Sequence, residues 1–130
     1  MKASSDAVLY SPISPAMDIE ALYKQGFDLR CAGSYAEAQQ VLTRVLSMNP
    51  AHIGARHQMA LIQGFEGDFD ASLASLDGLS RQYPENIDVR YDLAMTQMML
   101  GMYEEACGNL KRILAVAPAH DKAAQQVIYC

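Results

Sequence analysis

Residues 67–84 read GDFDASLASLDGLSRQYP. Gly67 opens the stretch, Phe69 follows, small Ser72 and apolar Leu76 come next, and Pro84 closes it. The same order stands 34 residues earlier as Gly33, Tyr35, Ala38, Leu42 and Pro50, and 34 residues later as Gly101, Tyr103, Ala106, Leu110 and Pro118. Five columns keep one register through three cycles without an insertion. A repeat of this length marks a stack of helix pairs, because one pair cannot bury its own apolar face and must be covered by the next.

Each cycle predicts two helices. The first runs over 18–32 with Asp18 as its N-cap, and Gly33 ends it, since glycine enters the left-handed region at little cost. Ser34 and Glu37 have the spacing of a capping box for a second helix over 35–48. Along that helix Ala38, Leu42, Val45 and Leu46 form one apolar stripe, and Pro50 stops it from running on. The later cycles predict helices over 52–66, 69–82, 86–100 and 103–116. A seventh, over 120–129, carries Ala123, Ala124, Val127 and Ile128 and is expected to cap the last pair. Close crossing within a pair needs small side chains. Gly26, Ala60 and Ala94 supply them on the first helices, and Ala38, Ser72 and Ala106 on the second. The aromatics at 35, 69 and 103 are expected to plug the gap at the turn. Residues 1–17 stand outside the repeat; Ser11-Pro12 and Ser14-Pro15 favour extended backbone, which predicts an arm.

At 130 residues, with 51% apolar and 19% charged side chains, the chain has the composition of one soluble domain. A net charge of −5 and ten scattered basic residues argue against nucleic acid as a partner. No run is apolar enough for a signal peptide or a membrane span, so no membrane insertion and a cytoplasmic location are expected. Cys31, Cys107 and Cys130 are an odd number at wide spacings without a CxxC, which suggests unpaired thiols in a reducing compartment and an exposed Cys130. His52, His57 and His120 are the only histidines, and His52 and His120 share a loop column that does not converge on one ion. With no HExxH, phosphate loop, GxSxG or clustered acid pair, neither catalytic residues, metal nor cofactor is expected.

With these columns in place, the chain resembles the tetratricopeptide repeat family over about residues 19–130. Its repeats would be 19–52, 53–86 and 87–120, with a capping helix at 120–129. Gly26/Ala60/Ala94, Tyr35/Phe69/Tyr103, Ala38/Ser72/Ala106 and Pro50/Pro84/Pro118 match the family's signature columns. It departs where the family often has Trp or another large apolar residue, with Leu22, Arg56 and Arg90, and in the next Leu column, with Gln25, Met59 and Leu93. An arginine stem can still cover apolar surface. The resemblance implies an all-α, right-handed solenoid of three antiparallel helix pairs plus a C-terminal helix. It also implies a non-catalytic scaffold whose first helices form a concave wall for an extended peptide or a helix of a partner.

Carried onto this chain, the family's groove columns fall on Tyr23, Phe27, Arg30 and Cys31, then His57, Leu61, Gly64 and Phe65, then Tyr91, Met95, Met98 and Met99. Members that clamp acidic chaperone tails carry Lys, Asn and Arg on these columns. Tyr23, Phe27, His57 and Leu61 stand here instead, which favours a protein partner with apolar anchors. Met95 and Met98 are expected in the groove, and Met99 and Met102 in packing contacts. Tyr23 and Tyr91 either bind a peptide backbone or stand in solvent, and His57 is expected to be satisfied or solvated. Two other roles fit the resemblance or the arm. One is a chaperone of an exported protein in a bacterial secretion system. The other is a structural protein that forms a homo-oligomer through residues 1–17, where Val8 to Ile13 is apolar and uncharged.

Overall fold

The computed structural model describes residues 15–130, with side chains from Ile19 onward. Seven helices follow one another among the described residues: α1 Pro15–Cys31, α2 Tyr35–Met48, α3 Ile53–Phe65, α4 Phe69–Gln82, α5 Ile87–Met99, α6 Tyr103–Val116 and α7 Asp121–Val127. The fold is all-α, and none of these helices is long and apolar enough to cross a membrane. The chain divides into two compact units, one through Ala55 and one from Arg56 to Cys130, with the division inside α3.

The helix borders follow the 34-residue register with two corrections at the start. α1 begins at Pro15, so residues 15–17, expected in an extended arm, are helical and Asp18 falls inside the helix. Proline suits a first helical position because its φ is preset and no N–H is required of it there. The rest of the expected arm, including Val8 to Ile13, lies outside the described residues. Ser34 precedes α2 but its side chain makes no capping bond, so the expected capping box does not form.

The turns between paired helices are built three times alike. Gly33, Gly67 and Gly101 adopt φ of 83°, 95° and 78°. In each, the next N–H reaches back to a carbonyl five residues earlier: Ser34 to Leu29 at 2.9 Å, Asp68 to Gln63 at 2.9 Å, Met102 to Gln97 at 2.8 Å. These bonds satisfy carbonyls that the helix end leaves open. The starts of α3, α5 and α7 repeat as well. His52 Nδ1 accepts from Ala55 N–H at 3.0 Å, Asn86 Oδ1 from Val89 N–H at 3.0 Å, and His120 Nδ1 from Ala123 N–H at 3.0 Å. Two histidines thus serve as N-caps on one column with an asparagine.

In the first unit α1 packs on α2, whose Ala38, Leu42 and Val45 are fully buried. Gly26 marks the crossing: a Cβ there would lie 2.6 Å from Leu42 Cδ2. In the second unit one core cluster joins Ala60, Leu76 and Leu93, and another joins Ala94, Ala106, Leu110, Ile113 and Ala123. The aromatic column does not plug the turns uniformly. Tyr35 is half-buried, whereas Tyr103 is 63% exposed.

Polar links also repeat at the 34-residue step. Ser75 Oγ donates to Gln63 Oε1 at 3.0 Å, and one repeat later Asn109 Nδ2 donates to Gln97 Oε1 at 2.8 Å. The arginines on the departing column are tied across the helix pair. Arg56 Nη1 donates to Gln82 Oε1 at 3.1 Å, and Arg90 donates to Asn109 Oδ1 at 2.9 Å and to the Pro84 carbonyl at 3.1 Å.

The cysteines correct the expectation of unpaired thiols. Cys107 and Cys130 are joined by a disulfide, with Cα atoms 5.8 Å apart, while Cys31 is unbonded and exposed. The turn at Pro118 reverses the chain, so α7 returns alongside α6 and sets Cys130 beside Cys107. The spacing of the cysteines alone does not reveal that pairing.

Two predictions concern stability. Leu76→Ala empties a fully buried position in the second unit and should cost about 2–5 kcal/mol, read from denaturant melts. Cys107→Ser opens a loop closed over a separation of 23 residues, and should cost about 3 kcal/mol. Reductant should lower the midpoint of the wild type and leave that of the variant unchanged.

Candidate binding site

The first-helix faces present the candidate side chains, and each unit has its own set. In the first unit Tyr23 lies on the imidazole of His52, with ring centroids 4.8 Å apart. Gly54 permits this approach, since a Cβ there would meet the Tyr23 ring at 2.7 Å. One turn on, Phe27 is 6.2 Å from Tyr23, and the Arg30 guanidinium sits 5.2 Å above the Phe27 ring. His52 uses Nδ1 as its cap acceptor, so Nε2 carries the proton and donates to Glu20 at 3.2 Å. The face of α1 therefore carries an ordered run of phenol, phenyl and guanidinium, backed at its start by the His52 imidazole, with Phe27 exposed at its centre. The Cys31 thiol, also exposed, follows at the helix end.

In the second unit His57 is buried and donates from Nε2 to Asp92 at 2.7 Å, linking α3 to α5. This hydrogen bond withdraws His57 from the exposed wall. Leu61 is half-buried against the Ala60–Leu76–Leu93 cluster, and Phe65 stands out at 54% exposure. On α5, Tyr91 lies 5.5 Å from the His120 ring, with Lys122 Nζ 6.0 Å from its centroid. Burial first, and the charge of Asp92 second, push the Tyr91 phenol above its usual range, so it stays a neutral hydrogen-bonding group. Tyr23 and Tyr91 are thus neither idle in solvent nor unsupported; each is backed by an N-capping histidine.

The methionines correct their expected roles in part. Met95 and Met98 pack, half-buried, against the cluster around Ala94 and Leu110. Met99, expected inside, is 66% exposed, and Met102 is half-buried as the N-cap residue of α6. Met99 is the last residue of α5. Met99 occupies the column of Cys31 and Phe65.

Sequence reasoning missed His52, His120 and Lys122 as supports and Asp92 as a partner. A signal for the histidines was present, because the separation of Tyr23 from His52 recurs between Tyr91 and His120. Among the described residues no group of three His, Cys, Asp or Glu side chains could hold a metal ion.

Residues 66–128 match the tetratricopeptide repeat family. That stretch belongs to the tetratricopeptide repeat family. No curated protein matches the chain in sequence. Solved structures of the same fold include MamA from Desulfovibrio magneticus RS-1, at 21% identity and a TM-score of 0.69 over 84% of this chain and 62% of that one. YrrB, described as a TPR protein with an unusual peptide-binding site, is 23% identical with a TM-score of 0.70 over 83% of this chain and 56% of its own. PcrH from Pseudomonas aeruginosa is 17% identical with a TM-score of 0.75 over 86% of this chain and 90% of its own. A second PcrH structure contains the chaperone binding region of PopB. The chain thus spans less than two thirds of the MamA and YrrB chains and most of PcrH. In this chain the family's groove columns fall on side chains of very different freedom, from buried His57 to exposed Phe27, Phe65 and Met99.

His120→Ala removes both the α7 cap and the ring behind Tyr91. It should cost about 1 kcal/mol in a denaturant melt. It should also make Tyr91 more accessible to a soluble quencher of tyrosine fluorescence, relative to the wild type.

Proposed function

We infer that this chain is a non-catalytic protein–protein interaction scaffold, and that its first-helix faces hold an apolar-anchored segment of a partner. The observation that carries this reading is the exposure of Phe65 and Met99, at 54% and 66%, on one column of the second unit. Both lie at the ends of first helices that the His57–Asp92 pair links, beyond half-buried Leu61, Met95 and Met98. Large apolar side chains exposed at the same place in successive repeats suit an apolar anchor of a partner. Phe27, under Arg30, offers the corresponding aromatic in the first unit.

The candidate side chains accordingly form one set in each unit: Tyr23, Phe27 and Arg30 in the first, and Leu61, Phe65, Tyr91, Met95, Met98 and Met99 in the second. His57 acts as a fixed strut within the second set. The PcrH complex with a segment of PopB, and the peptide-binding site named for YrrB, support a peptide or segment as the occupant. A chaperone of an exported protein is the narrower form of the same reading, with PcrH as its support. Disulfides persist in oxidising surroundings, so the Cys107–Cys130 bond favours an oxidising compartment over the cytoplasm suggested by the cysteine spacing.

The test is a random dodecapeptide array, followed by calorimetric titration of the best binder. Phe65→Ala combined with Met99→Ala changes only exposed side chains and should leave the melting midpoint within error. It should weaken binding at least about tenfold. Equal affinity for wild type and double variant would remove these side chains from the site and overturn the reading.

A further inference from the structure

A second concave feature lies on a different stripe of α5. Tyr91, Met95 and Met98 occupy the stripe described above; Arg90, Leu93 and Gln97 occupy another, facing α4 and α6. Two adjoining hollows open there. One, of about 500 Å³, is mainly polar and includes Ser80, Gln97 and Asn109. The other, of about 450 Å³, is lined by Ile87, Ile113 and Val116 among others. Pro84, Arg90 and Arg112 line both.

The two guanidiniums at this border share a charge problem. Arg90 is fixed in place, but by neutral acceptors, the Asn109 side chain and the Pro84 carbonyl. Asn109 is itself oriented by its bond to Gln97 at 2.8 Å, so the arginine rests on a built polar frame. Burial and the facing charge of Arg112 both disfavour the protonated form of Arg90. Carboxylates are near but do not answer this charge. Asp77 is taken by Arg81 at 2.8 Å. Glu105 lines the polar hollow and Glu85 the apolar one, yet no ion pair joins either to Arg90 or Arg112 among the described residues. Two cations facing one another, neither of them ion-paired to a neighbouring carboxylate, leave a place for a carboxylate from outside.

We propose that this cleft is a second binding site, which takes a carboxylate of a protein segment on Arg90 and Arg112 and seats the neighbouring aliphatic side chain beside Ile87, Ile113 and Val116. Arginine forks pair with carboxylates through two parallel N–H···O bonds, and a prepositioned fork loses little freedom on doing so. The flanking Glu85 and Glu105 repel a polyanion, so a single carboxylate beside an apolar group suits the cleft and a nucleic-acid backbone does not. The site is independent of the groove, because its residues lie on the other stripe of α5.

The test uses three fluorescein-labelled peptides read by anisotropy. The first, Gly-Ser-Leu-Glu-Leu-Gly with an amidated end, offers a side-chain carboxylate. The second replaces its Glu by Gln. The third, Gly-Ser-Gly-Leu with a free end, offers a chain-terminal carboxylate. Saturable binding is expected for the first or the third, which distinguishes the source of the carboxylate. The Gln peptide should bind at least about tenfold more weakly than the Glu peptide where the side chain is the source. Arg112→Gln, at an exposed position, should keep the wild-type melting midpoint and lose at least about tenfold in affinity for the carboxylate peptide. Phe65→Ala with Met99→Ala should leave this binding unchanged, which separates it from the groove. Three outcomes overturn the proposal: saturation by none of the peptides, equal binding of the Glu and Gln peptides without binding of the free-ended one, or full affinity in Arg112→Gln.

Discussion

Everything in this fold depends on how closely two helices of a pair can cross. A small residue on the first helix meets a fully buried leucine on the second. Gly26 admits Leu42 so tightly that one added carbon would overlap it, and Ala60 shares a core cluster with Leu76, as Ala94 does with Leu110. Only the column of small residues permits this approach, and only the left-handed glycine after the first helix returns the chain in time to make it. A leucine buried in this way contributes far more than any surface ion pair, so the crossing dominates the energetics of each pair. The exposed members of the groove columns, Phe27, Phe65 and Met99, can then vary with little cost to the fold, because they lie off the crossing.

That separation explains what was legible in the sequence. Small, leucine, glycine and proline columns are single-residue requirements imposed by backbone geometry, so they recur at 34 residues whatever the neighbours are. They predict six of the seven helices within a few residues at each end. The first helix is the exception at its start, because Pro15 can equally end an extended arm or open a helix, and local sequence does not distinguish the two.

The polar contacts were less legible because each depends on a partner far along the chain. Arg90 departs from the family's large apolar column, yet its guanidinium is carried by Asn109 and the Pro84 carbonyl, nineteen and six positions away. His57 offered no sign of Asp92, 35 positions on. Cys107 and Cys130 are bridged only because α7 folds back along α6. Met98 and Met99 are adjacent in sequence but point to different faces of α5, about 100° apart, so one packs on the core and the other is exposed. A resemblance supplies the columns of a groove, but the freedom of each side chain is decided by such contacts.

The disulfide ties these elements together at the end of the second unit. It binds the chain after α7 to the second turn of α6. α7 in turn carries His120 against the Tyr91 ring and Lys122 over it, and inserts Ala123 among Ala94, Ala106, Leu110 and Ile113. A seven-residue helix is too short to persist without such packing. Holding α7 in place therefore holds the support of Tyr91, and the covalent bond acts on the candidate groove without touching any side chain that lines it. The Arg90 cleft stands apart from that linkage: its frame is the Gln97–Asn109 hydrogen bond within the α5–α6 pair. One helix, α5, thus serves two surfaces. The apolar one is braced by the C-terminal helix, and the cationic one is braced by the interior of its own repeat.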